Sequence, residues 1–468
     1  MEHAPSGRGS FGRIGFILAA TGSAVGLGNL WKFPYMTYAN DGGSFVVVYL
    51  VSVVLIGAPL MMAEIMIGRR AQASPVGALK SLSDEVKASP RWAWAGWLGI
   101  AAGFVILAYY SVVAGWTVYY VGKCLSWSLT TFDPEAVGPG FGSFVGDGRL
   151  QLLFHGLFMA MTMGVVLGGV QDGIERVTKI LMPMLGVLLT VLVVNSFFQP
   201  GFSKAMSFLF HVGPITFDGV LEAVGQSFFS LSLGMGAMIT YGSYVSKSES
   251  IPRAALTVVA FDTMVGFMAC FVMLTIIFSA PDPSSFSASA AILFTTMPIM
   301  FYDMAGGAFL APLFYFLVSA AALSSTISLL EVVVAYFIDN RGWSRRRSVI
   351  VVGSLIYGLG VPAGLSLGAS NLFTSFLPVG TNDAGGTVYM GFFDVLDYLA
   401  TNWLLPVGGL FIAIFVGWVL TDKASQDEMA SGHGTFRAHA MWKWSLRVVC
   451  PLAIVAIVFA VLSGRTFN

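Results

Sequence analysis

The chain has 468 residues, 56% of them hydrophobic and 10% charged, with a formal net charge of zero. Such a composition excludes a soluble globular protein and describes a polytopic membrane protein, while the balanced charge leaves no basic footprint for nucleic acid. The three cysteines (Cys124, Cys270, Cys450) and five histidines have neither metal-ligand spacing nor a disulfide framework, which argues against a metal or thiol enzyme.

The opening residues, Met1-Glu2-His3-Ala4-Pro5-Ser6-Gly7-Arg8, lack the pattern of a cleaved signal, so the first apolar run is expected to stay as a span. Runs long enough to cross a bilayer lie near 13–35, 43–68, 94–128, 152–170, 174–197, 222–246, 254–279, 306–338, 348–366, 392–421 and 441–463, about eleven in all. Lys and Arg distribute asymmetrically. With the N-terminus in the cytoplasm, the inside positions hold Arg8, Arg69, Arg70, Lys80, Lys87, Arg91, Arg176, Lys179, Lys247, Arg253 and Arg345-Arg346-Arg347, while Lys32, Lys123, Arg149, Lys204 and Arg465 remain outside. The bias predicts an internal N-terminus and, with an odd helix count, an external C-terminus.

The first run contains Thr21-Gly22-Ser23-Ala24-Val25-Gly26-Leu27-Gly28-Asn29-Leu30-Trp31-Lys32-Phe33-Pro34. Glycine weakens a helix interior and Asn competes for its backbone bonds, so this helix is expected to break in mid-membrane. Close packing by small residues is the alternative. In the second run Glu64 is an ionisable group at membrane depth, where a charge is costly and marks function. The stretch 129–150, with Asp133, Pro134, Glu135, Gly138 and Pro139, reads as an external connection. Gly173 and Pro183 flank the start of the fifth run, where both residues favour reversible unwinding or a static kink.

The sixth run carries a second interruption, Gln226-Ser227-Phe228-Phe229-Ser230-Leu231-Ser232-Leu233-Gly234-Met235-Gly236. Two interrupted helices five positions apart point to an inverted-repeat transporter with a midplane binding site. Asp262 sits deep in the seventh run, Glu331 in the eighth, and Asp397 near the outer end of the tenth. The apolar, Pro-broken part of 281–305 reads as an external helical hairpin over a vestibule, or else as an amphipathic loop. Ser324-Ser325-Thr326 forms a hydroxyl row in the eighth run. Hydroxyls in helices often bond only the preceding turn, but a hard cation such as sodium seeks this mix of hydroxyl, carbonyl, amide and carboxylate oxygen. Asn29, Ser230 and Asp262 offer one such set.

Gly22-Ser23-Ala24-Val25-Gly26-Leu27-Gly28-Asn29, Glu64 with Gly68-Arg69, Tyr109-Tyr110, the run from Gln226 to Gly236, Tyr241-Gly242-Ser243-Tyr244 and Ser324-Ser325 resemble the neurotransmitter:sodium symporter family, particularly its bacterial amino-acid transporters. The resemblance covers nearly the whole chain, from Arg13 to Ser463. It implies the leucine-transporter fold: an all-α membrane protein of about 11 transmembrane helices in a 5+5 inverted repeat with helices 1 and 6 discontinuous. Residues 1–12 would be a cytoplasmic segment and 13–463 a single transporter domain, with repeats near 13–197 and 222–421 and an eleventh helix near 441–463. A short tail, 464–468, would follow.

Carried onto this sequence, the resemblance implies two sodium ions and no organic cofactor. The first would be held by Ala24, Asn29, Ser230 and Asp262, and the second by Gly22, Val25, Ala321, Ser324 and Ser325. An amino acid would lie among Ala24, Gly26, Leu27, Gly28, Ile106, Tyr110, Phe229, Ser230, Ser232, Met235, Ser325 and Leu329. Its carboxylate would meet Tyr110 and the N–H groups near Leu27 and Gly28, with Phe229 as a lid. Lys32 and Asp397 match the outer gate pair, and Asp339, with Ser243 and Tyr244 beside it and Arg8 as partner, the inner one.

Two departures are informative. Asp262 stands where animal members of the family carry Asn and recruit chloride, so that Tyr49, Gln226, Ser230 and Asp262 would surround that place. Chloride-independent transport with proton counter-transport at Asp262 is expected. Gly26 stands where monoamine carriers place Asp, so the cargo should bring its own carboxylate. Met235 replaces a common aromatic and gives an adaptable apolar pocket. The expected activity is sodium-coupled symport of hydrophobic or aromatic L-amino acids across a bacterial inner membrane. A carrier of a zwitterionic osmolyte and a non-transporting amino-acid receptor are the alternatives.

Overall fold

A computed structural model describes residues 10–279, 292–304, 306–381, 387–432 and 434–463. Arg8, the tail and the first half of the expected 281–305 hairpin lie outside the described residues. Nine unbroken helices among the described residues are long and apolar enough to cross a membrane: Gly43–Ala71, Pro90–Leu129, Gly148–Leu167, Val170–Ser196, Ile251–Ser279, Gly307–Arg341, Arg345–Leu365, Phe392–Val419 and His439–Leu462. The first segment is a bent pair, Arg13–Ala24 with Gly28–Ala39, turning by 53° at its break. The sixth is also in two pieces, Phe217–Ser230 and Ala237–Gly242. In chain order these are segments one to eleven, and the two interrupted ones hold the equivalent first position of each five-segment half. Predicted and observed ends differ by a few residues.

Each interruption has a local cause. The first helix stops at Ala24, and Val25 takes an extended conformation among residues that gain little from helix. In the sixth segment Ser232, Gly234 and Gly236 all have φ between 54° and 78°, a region that L side chains enter only at a cost. A Cβ on Gly234 would lie 2.3 Å from the Leu405 carbonyl oxygen, so backbone from the tenth segment occupies the space a side chain would need. Glu64, fully buried in the second segment, accepts a bond from the Gly234 N–H at 2.7 Å. A freed backbone donor is thereby satisfied inside protein, the only way irregular backbone survives at this depth.

The eighth segment is the axis of the bundle, with its apolar stretch wholly enclosed. The small residues Ser319-Ala320-Ala321-Ala322 let neighbours approach closely: Ser319 Oγ and Thr117 Oγ1 of the third segment are 2.7 Å apart. The fifth segment is wound through both Gly173 and Pro183. A Cβ at Gly173 would stand 2.1 Å from the Val165 carbonyl oxygen, so in this state the glycine serves a tight turn packing.

Two connections carry structure beyond what the sequence predicts. Between segments three and four, Val137–Gly146 is a helix that packs Phe141 and Phe144 edge-on against Trp116. Between segments nine and ten, β1 (Leu377–Thr381) pairs antiparallel with β2 (Thr387–Met390), with Leu377 opposite Met390 and a register shift between Pro378 and Gly380. In the region expected as a hairpin, the described part is one helix, Ile292–Asp303.

Gly234→Ala should lower the unfolding free energy in detergent by at least about 2 kcal/mol, from combined strain and clash. Gly225→Ala, with nothing within 4 Å of the added carbon, should leave the thermal midpoint nearly unchanged.

Candidate functional site

The broken parts of segments one and six meet at a cavity of ≈ 30 Å³ lined by Ser23, Ala24, Gly26, Gly28, Ile106, Tyr110, Phe229, Ser230, Ser232, Met235, Ser325, Ser328 and Leu329. All but two of these thirteen were expected at a substrate site. Leu27, the remaining expected member, points its N–H at the Tyr110 hydroxyl, 3.0 Å away. That hydroxyl is the acceptor in the bond from Leu27. A Cβ on Gly26 would lie 2.6 Å from Ser325 Oγ and 2.9 Å from the Tyr110 hydroxyl, so only glycine leaves this corner open. Met235 and Ile106 are apolar walls, and half-buried Phe229 separates the cavity from the outside.

On one side of the cavity is a carboxylate cluster. Asp262 is fully buried; its Oδ1 accepts from Asn29 Nδ2 at 2.8 Å and its Oδ2 from Ser230 Oγ at 2.8 Å. The Tyr49 hydroxyl reaches Ser230 Oγ at 3.3 Å and Asp262 Oδ2 at 3.4 Å. Asn29 Oδ1 in turn accepts the Gly26 N–H at 3.2 Å, which ties the amide to the interruption. Gln226, four residues before Ser230 in the same helix, is buried with no hydrogen-bond partner on either side-chain polar atom among the described residues. A buried amide left unpaired is costly, so Gln226 has unused donor and acceptor capacity.

On the other side, oxygens from segments one and eight converge on Ser325. Its Oγ lies 3.4 Å from the Gly22, Ser23 and Ala321 carbonyl oxygens and 3.2 Å from that of Val25. Ser324 Oγ donates to the Ala321 carbonyl at 2.8 Å, and its Cβ is 3.1 Å from where a Cβ on Gly22 would be. Thr326 departs from the expected row of three. It faces segment four, 2.8 Å from Thr162 Oγ1, because successive helix positions diverge by about 100°.

The sequence reading missed Ser23 and Ser328 as cavity residues. Their hydroxyls are 2.8 Å apart, and Ser328, three residues after Ser325, carried the signal: one helical turn keeps the same face.

The sequence also matches known proteins. Residues 8–133 and 143–466 fit the Sodium:neurotransmitter symporter family. The chain belongs to this family. It is thus a sodium-dependent transporter and not an enzyme. An uncharacterized sodium-dependent transporter of Bacillus subtilis, YhdH, is 36% identical over 458 residues, 97% of each chain. An uncharacterized sodium-dependent transporter of Haemophilus influenzae is 30% identical over 455 residues, 95% of this chain and 96% of the other. The solved structure of MhsT in complex with L-phenylalanine superimposes with a TM-score of 0.84 at 39% identity, covering 97% of this chain and all of that one. The fold is therefore the leucine-transporter type that the two interruptions pointed to.

Outside the cavity, this symporter has a vestibule of ≈ 880 Å³ whose wall includes Lys32, Glu222, Phe229, Asp394, Asp397 and the strand residues Val379, Val388 and Tyr389. The expected outer pair is not in contact. Lys32 Nζ sits 5.1 Å from the Phe229 ring centroid, and Asp397 Oδ1 accepts from Thr401 at 3.2 Å. The vestibule keeps the two charges apart, each solvated or locally bonded. Glu222, unremarked in the sequence, joins segment six to segment one through Asn40 Nδ2 at 2.6 Å.

At the end of the bundle opposite the vestibule, the start of the first segment packs across the opening. Phe11 packs edge-on against Tyr241 and Tyr244, and its N–H donates to the Tyr244 carbonyl at 3.0 Å. Glu175, at the inner end of segment five, accepts the Gly12 N–H at 3.2 Å and pairs with Lys179 at 2.6 Å. Gln171 Nε2 donates to the Ser10 carbonyl at 2.9 Å. Arg13 lies 3.4 Å from Glu249. Of the inner residues expected together, Arg8 lies outside the described residues. Asp339 accepts the Ser74 N–H at 2.8 Å, whereas the Tyr244 hydroxyl donates to Glu331 at 2.6 Å. Glu331 also receives both Arg345 guanidinium nitrogens, at 2.7 and 2.9 Å. Ser243 Oγ bonds back to the Thr240 carbonyl.

Glu331→Gln would strip the buried counter-charge from Arg345 and should cost about 3 kcal/mol, read as a lower thermal midpoint. The double variant Glu331→Gln with Arg345→Gln should recover part of it, giving a coupling energy well above the error of a mutant cycle.

Proposed function

We propose that this symporter couples the inward movement of sodium to uptake of hydrophobic or aromatic L-amino acids by alternating access. The observation that carries the reading is the cavity between the two interruptions, where Tyr110 and the Leu27 N–H stand at one end and Ile106, Met235 and Leu329 give an apolar wall. Positive helix ends and oriented N–H groups suit a carboxylate. The phenylalanine named with the MhsT structure supports the same class of cargo. At ≈ 30 Å³ the cavity is smaller than such a side chain, so Met235 and Phe229 must swing aside on binding. Methionine's flexible chain makes that inexpensive.

Sodium is a co-substrate here. The first ion would sit among the Ala24 carbonyl, Asn29, Ser230 and Asp262, the cargo's carboxylate completing its shell. The second would replace the Ser325 hydroxyl contacts to the Gly22, Val25 and Ala321 carbonyls, with Ser324 Oγ turned toward it. Both sets are the hard oxygen donors a small alkali cation needs. Asp262 supplies a fixed negative charge beside Tyr49 and Gln226, so transport would need no chloride. Proton uptake by Asp262 on the empty return step would neutralise a charge otherwise stranded in mid-membrane.

Lys32 with Asp397 would close the outer side, and Asp339 with Arg8, near Tyr244, the inner side. Unwinding between Gly173 and Pro183 would free Glu175 from the start of segment one and admit water from the cytoplasm. Residues 13–463 would act as one domain of a multi-pass bacterial inner-membrane protein with the N-terminus inside and the C-terminus outside.

Purified protein in proteoliposomes should accumulate labelled leucine, tyrosine or tryptophan under an inward sodium gradient and not under potassium of equal ionic strength. Saturable binding without accumulation would overturn the reading in favour of a receptor. Replacing chloride by gluconate should leave wild-type uptake unchanged, and Asp262→Asn should make the residual uptake rise with chloride. Stimulation of the wild type by chloride would count against the assignment of Asp262.

A further inference from the structure

The floor of the cavity has a polarity that the proposed cargo class does not use. Ser23 and Ser328 are almost fully buried, at 2% and 1% exposure, and both line the cavity beside Met235 and Leu329. Their hydrogen bonds run in one direction. Ser328 Oγ donates to the Ser325 carbonyl at 2.8 Å, so its single proton is used, and Ser23 Oγ must donate in the 2.8 Å bond to Ser328. Among the described residues no donor reaches Ser23 Oγ, which leaves its lone pairs open.

Ser23 is also held still. Its carbonyl accepts from Ser232 Oγ at 2.8 Å and is 3.4 Å from Ser325 Oγ, fixing the end of the inner half-helix against segments six and eight. It lies on the cytoplasmic side of the break, four residues before Leu27, whose N–H and Tyr110 mark the other end. A cargo whose carboxylate met the Leu27 end would have Met235 and this floor within the same cavity.

We propose that Ser23 is a specificity-determining residue that accepts a hydrogen bond from the side chain of the cargo, so the site favours aromatic amino acids with an edge donor, the phenol O–H of tyrosine or the indole N–H of tryptophan, over phenylalanine. This rests on the amino-acid reading of the site. A fixed acceptor with both protons of its pair committed reads donors only. A ring without one leaves the lone pairs buried and unpaired, and such mismatch is penalised more than a missing methylene.

The test uses the full-length protein in proteoliposomes, with labelled leucine uptake competed by unlabelled analogues in sodium. In the wild type, 1-methyltryptophan should compete about five- to tenfold less well than tryptophan, and phenylalanine less well than tyrosine by a similar factor, the worth of one buried hydrogen bond. Ser23→Ala should bring both ratios within about twofold, and Ser23→Thr, which keeps the hydroxyl, should restore them. The tyrosine pair controls for the bulk of the added methyl group. Equal competition within each pair by the wild type would overturn the proposal while leaving the transport reading intact, and needs no variant to fold. Ratios unchanged in Ser23→Ala would assign the acceptor elsewhere and equally overturn it. Absence of sodium-dependent leucine uptake by the wild type would instead sink the amino-acid reading itself, and the proposal with it.

Discussion

Everything at the centre of this molecule follows from one constraint: a backbone that leaves its helix inside a bilayer must find partners within the protein. Glu64 meets the Gly234 N–H, Tyr110 meets the Leu27 N–H, and Asn29 meets that of Gly26. Glu64 and Tyr110 come from segments other than those they satisfy, so their two bonds require the bundle to assemble, whereas Asn29 bonds within its own segment. The groups left over are carbonyl oxygens and oriented N–H donors, the raw material of a site for cations and a zwitterion. Local destabilisation of the helix thus becomes recognition.

Electrostatics gives the second layer. Asp262 is buried among neutral partners, Asn29, Ser230 and Tyr49, with no cationic side chain bonded to it among the described residues. The inner carboxylate Glu331, by contrast, is answered in full by Arg345 and Tyr244. Glu331 is therefore charge-compensated by the protein itself, whereas Asp262, like Glu64, meets only neutral donors among the described residues. Asp262 and Glu331 are equally buried, and the difference between them lies in the partners that answer the charge.

Much of this was legible in the sequence. The spans follow from apolar runs of bilayer length, and the interruptions from Gly and Asn in otherwise smooth helices. The cavity residues followed once helical spacing and the family resemblance were combined. What was not legible depended on direction and distance. Thr326 adjoins Ser325 in the chain but faces Thr162. Lys32 and Asp397 both line the vestibule without touching. The strand pair β1–β2 escaped notice because a short hairpin has no long periodic signal, and Val137–Gly146 because its glycines read as loop. Ser23 was in plain view inside a quoted motif, yet only its bond to Ser328 distinguishes it from a packing residue.

The inner seal also sets an energy scale. Among the described residues it includes a few hydrogen bonds to Ser10, Phe11 and Gly12, worth about 1 kcal/mol each, one buried phenylalanine worth about 2 kcal/mol, and a largely exposed ion pair worth little. Detaching it costs roughly 5 kcal/mol on these terms, similar to the 3–4 kcal/mol that a ligand supplies at a hundred to a thousand times its dissociation constant. These contacts are therefore of a size that ligand binding can offset. A seal built from a deep apolar interface would have been sturdier and would have stalled the cycle.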